Sequence, residues 1–106
     1  MNRLNRQEIE NCIGYKSLLV VKDRQGNISR VTSPQTLSKW EFDGATWILK
    51  ASVPPTELNT SGIYITNSAR EARKYIGSLC KVILSGEIVI HEDGARGEFA
   101  RLLEVS

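Results

Sequence analysis

The sequence predicts an α+β fold: a single domain over residues 1–106, built on a twisted, mainly antiparallel sheet of about five to seven strands with one or two helices packed on it. Three observations predict it. The chain has 106 residues, the length of one domain with one core. Short β-branched runs alternate with Asp-Gly and Asn-rich turns, the pattern of antiparallel hairpins. Only two stretches combine a helix cap with helical apolar spacing.

The composition narrows the function classes. Apolar residues make up 41% and charged residues 25%, ordinary for a globular domain. A formal charge of +2 is too small to point to nucleic acid or an anionic membrane surface. Cys12 and Cys80 stand far apart with no C-x-x-C, so buried thiols in a reducing cytoplasm are expected rather than a disulfide or a metal site. The opening MNRLNRQEIENC lacks the apolar core of a signal peptide. No apolar run approaches the ~18–20 residues needed to span a membrane. The expectation is a cytoplasmic protein without a membrane partner.

Taken in order, Asn5 and Glu8 form a capping box before an apolar stripe of Leu4, Ile9, Cys12 and Ile13, which predicts a short helix ending before Gly14. Leu18-Leu19-Val20-Val21 reads as a strand, Asp23 to Asn27 as a turn, and Ile28 to Thr32 as the return strand. Asp43-Gly44 predicts a two-residue hairpin loop that pairs Phe42 with Ala45 and Trp40 with Trp47. Both tryptophans would then share a face, as half of a small core or as an aromatic platform. Val53 to Gly62 is the longest linker-like stretch. Ile63 to Thr66 is a strand. Ser68 and Glu71 cap a helix with Ala69, Ala72 and Ile76 inward and a solvated basic face of Arg70, Arg73 and Lys74; Gly77 is its stop. Cys80 to His91 is a long strand kinked at Gly86, and Ala95 to Val105 is the last.

Asp93-Gly94 predicts a second two-residue loop. It pairs His91 with Arg96, Ile90 with Gly97, Val89 with Glu98 and Ile88 with Phe99. Alternation then lines one face with Ile88, Ile90, Phe99, Leu103 and Val105, and Arg101 among them. His91, Arg96 and Glu98 share the other, with Val89 and Ala100. An imidazole, a guanidinium and a carboxylate on one patch are candidate binding residues. The alternative is a cross-strand ion pair, worth ~0–1 kcal/mol if exposed. With one histidine and scattered carboxylates there is no metal-ligand spacing, and no metal is expected.

Residues 62–77, GIYITNSAREARKYIG, carry the tripeptide spacing that resembles the GIY-YIG endonucleases. That family places both tripeptides on neighbouring strands and requires an arginine on a helix soon after the second. Here the spacer holds a capping box and helix formers, and SLCKVILSGEIVI without arginine follows. Tyr75-Ile76-Gly77 is therefore expected as a helix end, the spacing as a coincidence, and a nuclease only as a third reading.

From Gly62-Ile63-Tyr64 through Ser68, Glu71-Ala72, Tyr75, Gly86, Val89, His91-Glu92, Gly94, Arg96, Glu98 and Ala100, the chain resembles a family of small uncharacterised bacterial proteins. Their shared run is approximately G-I-Y-A, S-x-x-E-A-x-x-Y, E-V-x-L-W-G-x-V and H-E-x-G-x-R-A-E-x-A. Ser85 stands where that family carries tryptophan, and Lys81 where it carries glutamate. The resemblance implies architecture and no activity. Gly62-Ile63-Tyr64, Tyr75 and Glu98-Phe99 also look like the layout of ADP-ribosyltransferases. That resemblance implies NAD as ligand, tyrosines stacked on nicotinamide, and Glu98 as catalytic carboxylate steadying an oxocarbenium-like transition state. The opening His or Arg of that layout is missing, and Tyr15-Lys16 is the only stand-in.

The leading expectation is a non-enzymatic binding or accessory domain, with no cofactor, engaging a protein or small ligand through Tyr64, Tyr75, His91, Arg96 and Glu98. The second is a transferase-like, NAD-binding protein using Tyr64, Tyr75 and Glu98.

Overall fold

A computed structural model describes residues 12–106. In chain order the elements are β1 (Ile13–Lys22), β2 (Ile28–Thr32), β3 (Glu41–Phe42), β4 (Trp47–Lys50), β5 (Ile63–Thr66), α1 (Ala69–Ala72), β6 (Ser78–Ile90) and β7 (Gly94–Val105). The strands pair antiparallel throughout, as the turn signals predict. The helical content is smaller than expected: among the described residues the one helix is α1, a single turn. The helix expected before Gly14 lies outside the described residues except at its end, where Ile13 opens β1. No helix among the described residues is long and apolar enough to cross a membrane.

β6, the longest strand, pairs β1 on one edge and β7 on the other. β5 bridges β1 and β7 on the far side. The ladders thereby close a ring, β1–β6–β7–β5, which leaves few free edges. β2 extends β1 beyond the ring, and β4 with β3 extends β7. The core fills with Leu18, Val31, Trp40, Ile63, Ile65, Val82, Leu84 and Leu102, with Cys80 and the small Ala95 and Ala100 between them. Tyr15 points the other way and packs on Ala69 and Ala72 of α1.

Both Asp-Gly hairpins depart from the expected register: four residues, 43–46 and 91–94, lie between the nearest ladder pairs Phe42–Trp47 and Ile90–Ala95. Asp43 Oδ1 accepts from the backbone N–H of Ala45 at 2.9 Å and of Thr46 at 2.8 Å, an Asx-type closure. Phe42 therefore pairs with Trp47, their ring centroids 5.5 Å apart. Trp40 does not face Trp47. It is buried in the core and donates through Nε1 to Ser33 Oγ at 3.0 Å, so it serves packing and no platform forms.

In the second hairpin His91 N–H donates to the Gly94 carbonyl at 2.8 Å, and Ile90 pairs with Ala95, Val89 with Arg96 and Ile88 with Gly97. The Asp93 carbonyl accepts from Asn67 N–H and Thr66 Oγ1, so contacts from the end of β5 set this loop. The expected apolar face is kept only by Ile88 and Val105, which pack half-buried against the core. Phe99, Leu103 and Ile90 are exposed, and Ala95, Ala100 and Leu102 point inward instead. Two bulges explain it: the β6–β7 register shifts between Lys81 and Val82 and between Ser85 and Ile88. Each inserted residue breaks strict alternation. The second falls at Gly86, where a kink was expected. Its φ of +75° is a glycine conformation, and a Cβ there would lie 2.7 Å from Glu98 Oε1 and from Phe99 Cδ2.

The helix cap is as read from the sequence: Ser68 Oγ accepts from Glu71 N–H at 3.4 Å. Glu71 does not return the bond but pairs with Lys74 at 3.0 Å. The helix stops at Ala72 rather than at Gly77: Lys74 and Tyr75 N–H donate three residues back, to the Glu71 and Ala72 carbonyls, and Ser17 Oγ also donates to the Ala72 carbonyl. Tyr75 and Ile76 therefore sit exposed in a turn, and Tyr75-Ile76-Gly77 is neither strand nor helix. Gly77 has a different task from a helix stop. It passes so close to β1 that a Cβ would lie 2.6 Å from the Leu18 carbonyl oxygen.

Candidate functional site

The five residues singled out by sequence fall into three places. Arg96 and His91 are joined: Arg96 Nε donates to His91 Nε2 at 2.8 Å. The imidazole thus accepts at Nε2. Arg96 is buried, and the rest of its guanidinium serves the long loop after β4. Nη1 donates to the Ser61 carbonyl at 2.8 Å and Asn59 Oδ1 at 3.4 Å; Nη2 donates to the Thr56 carbonyl at 3.0 Å. The planar fork suits this task because it reaches several acceptors at once. With its donors engaged in pinning residues 56–61, Arg96 has little left to offer a ligand.

Glu98 stands apart from them. Its Oε1 accepts from Glu87 N–H at 3.3 Å across the Gly86 bulge. Among the described residues no hydrogen bond or ion pair joins it to His91 or Arg96. The expected patch of imidazole, guanidinium and carboxylate is thus divided between two structural jobs, a loop clamp and a bulge brace.

Tyr64 and Tyr75 belong to a third place, a cleft with a simple origin. β1 and β5 pair only at Tyr15 and Thr66. Beyond that point they splay, and β1 takes β2 as its neighbour only from Leu19 onward. The wedge between them is bridged by Lys16, whose Nζ donates to the Tyr64 carbonyl at 2.9 Å. Its narrow end, about 80 Å³, is lined by Tyr15, Lys16, Ser17, Tyr64, Ala72 and Tyr75 with the turn of Ser33 to Thr36. A wider part of about 440 Å³ continues past Lys16, Ser33 and Tyr64 to Lys50, Val53 and Ser61. Glu98 lines neither part.

Burial governs the electrostatics here. Lys16 is drawn below its ordinary range because burial disfavours its charged form. Tyr64 is raised, first by burial and then by the Asp93 carboxylate, which also accepts its hydroxyl. No carboxylate among the described residues pairs with Lys16, and no three metal-ligating side chains cluster among them.

Sequence reading found the two tyrosines, and named Lys16 only, with Tyr15, as the stand-in for a transferase's opening residue rather than as a wall of their cleft. The available signal was a polar Tyr15-Lys16-Ser17 at the start of an otherwise apolar strand. Ser33, Gln35 and Thr36 had no signal beyond turn propensity, because their part in the cleft depends on where β2 ends. No protein-family model matches the chain, and no curated protein or solved structure matches it.

Proposed function

We propose that this protein is a non-enzymatic binding domain that holds a small ligand in the wedge between β1 and β5. The observation that carries this reading is the convergence of Lys16, Tyr64 and Tyr75 on one cleft, with the lysine lacking any carboxylate partner among the described residues. Concave sites with aromatic walls and a few placed polar groups are the usual form of small-molecule sites. The polar hairpin is a weaker candidate, since Arg96, His91 and Glu98 satisfy one another or the backbone. The transferase-like reading needs Glu98 facing the tyrosines, and Glu98 is held at the bulge instead, so binding is favoured over group transfer.

A fragment screen read by ¹H–¹⁵N NMR tests the reading. Hits that shift the amides of Lys16, Ser17, Tyr64 and Tyr75 support it. Hits confined to residues 87–98 would return the site to the hairpin.

A further inference from the structure

Building on that reading, we infer that the ligand is a small aromatic oxyanion, a flat ring bearing a carboxylate or phosphate, with the ring against the tyrosines and the acidic group on Lys16. All three tyrosines of the chain line the narrow end of the cleft. Tyrosine rings offer offset or edge-on contacts to another ring, and no other surface of this chain concentrates them.

The charge of the walls selects an anion. Neither part of the cleft is lined by Asp or Glu, whereas Lys16 and Lys50 both line it. Asp93 acts on the Tyr64 hydroxyl but is not part of either wall. Hydrogen-bonding capacity agrees. A lysine ammonium has three N–H donors, and Lys16 engages the Tyr64 carbonyl. Ser33 Oγ already accepts from Trp40 Nε1, which leaves its own O–H to donate. A neutral polyol would leave the ammonium without a counter-charge, and a cation would be repelled.

Size limits the ring. An apolar cavity of roughly 150 Å³ accommodates benzene, so the narrow end of about 80 Å³ admits only the edge of a ring. The wider part, about 440 Å³, has the scale of a small-molecule site. The two share Lys16, Ser33, Gln35, Thr36 and Tyr64, so the ring straddles them, with one edge against Tyr64 and Tyr75 in the narrow end, its body in the wider part and its acidic group at Lys16.

Dissociation constants from NMR titration of the full chain decide the matter, with benzoate, phenyl phosphate, cyclohexanecarboxylate, benzamide and inorganic phosphate as probes. Benzoate or phenyl phosphate is expected to bind in the cleft at least tenfold more tightly than the other three, and the better of the two names the acid. Lys16→Met is expected to weaken that binding at least tenfold. Tyr75→Leu, in an exposed turn and thus without cost to folding, is expected to weaken it severalfold, and added salt to weaken it further. Equal binding of benzamide or of inorganic phosphate, or unchanged binding by Lys16→Met, overturns the inference while leaving the cleft as the site. Failure of every probe, with neutral fragments still found in the cleft, overturns it equally. Absence of any ligand in the cleft overturns the proposed function as well.

Discussion

Replacing Arg96 by methionine tests the assignment of this residue to the fold. Methionine keeps the apolar stem and removes the guanidinium. Three short bonds are lost, to His91 Nε2, the Ser61 carbonyl and the Thr56 carbonyl. Bonds from a charged donor contribute about 1.5–3 kcal/mol each before offsets. Two offsets apply: a buried cation no longer has to be desolvated, and the freed carbonyls lie on a loop that water reaches. A net loss of about 2–4 kcal/mol follows. In a domain of this size each kcal/mol moves Tm by about 4–8 °C, so the midpoint should fall by roughly 8–32 °C. Urea denaturation at low temperature gives the free energy, and limited proteolysis should show faster cleavage within residues 56–61. Arg96→Lys should recover less than half of the loss, because one ammonium cannot span acceptors on both sides of the loop. A loss below about 1 kcal/mol for Arg96→Met, or full recovery with lysine, would refute the reasoning and free Arg96 for a ligand.

Three further outcomes follow from the same structure. Burial draws Lys16 below 10.5 when folded, so its protonated form opposes folding relative to its neutral form. The stability of the wild type relative to Lys16→Met should therefore rise as pH climbs from below the folded value toward 10.5; a flat difference between their urea midpoints across pH 7–10.5 would contradict this. Burial pushes the Cys80 thiol up to about 11 from 9.0, so at pH 8 its thiolate fraction is about 100-fold below that of a free thiol. Mass spectrometry after brief alkylation should find the half-buried Cys12 modified well before Cys80. Gly86→Ala should cost about 2–3 kcal/mol by urea denaturation, from a positive φ and a Cβ pressed on Glu98 and Phe99; a neutral result would mean the bulge is not fixed.

The fold was legible where local chemistry decides it. The strands around Leu18–Val21, Ile28–Thr32 and Ile63–Thr66, the Ser68 cap and the kink at Gly86 follow from branching, caps and turn residues. Register was not legible, because it depends on remote partners. Asp43 closes its own loop and so moves Trp47 opposite Phe42, and Thr66 and Asn67 capture the Asp93 carbonyl and so widen the second loop. Two bulges then exchange Phe99 and Leu103 for Ala100 and Leu102 in the core. The candidate site followed the same rule. Tyr64 and Tyr75 stood out by motif, but their link through Lys16 exists only because β1 and β5 part after one pair. His91, Arg96 and Glu98 looked chemically rich in sequence, yet the fold uses that richness to hold a loop and a bulge.

The central claim, that function resides in the wedge at Lys16 rather than on the charged hairpin, is tested most directly by a crystal structure of the full chain with benzoate or phenyl phosphate. The account predicts an acidic group within hydrogen-bonding distance of Lys16 Nζ and a ring touching Tyr64 and Tyr75. Ligand seated instead against His91, Arg96 and Glu98, or on the exposed Phe42 beside the half-buried Trp47, would contradict it.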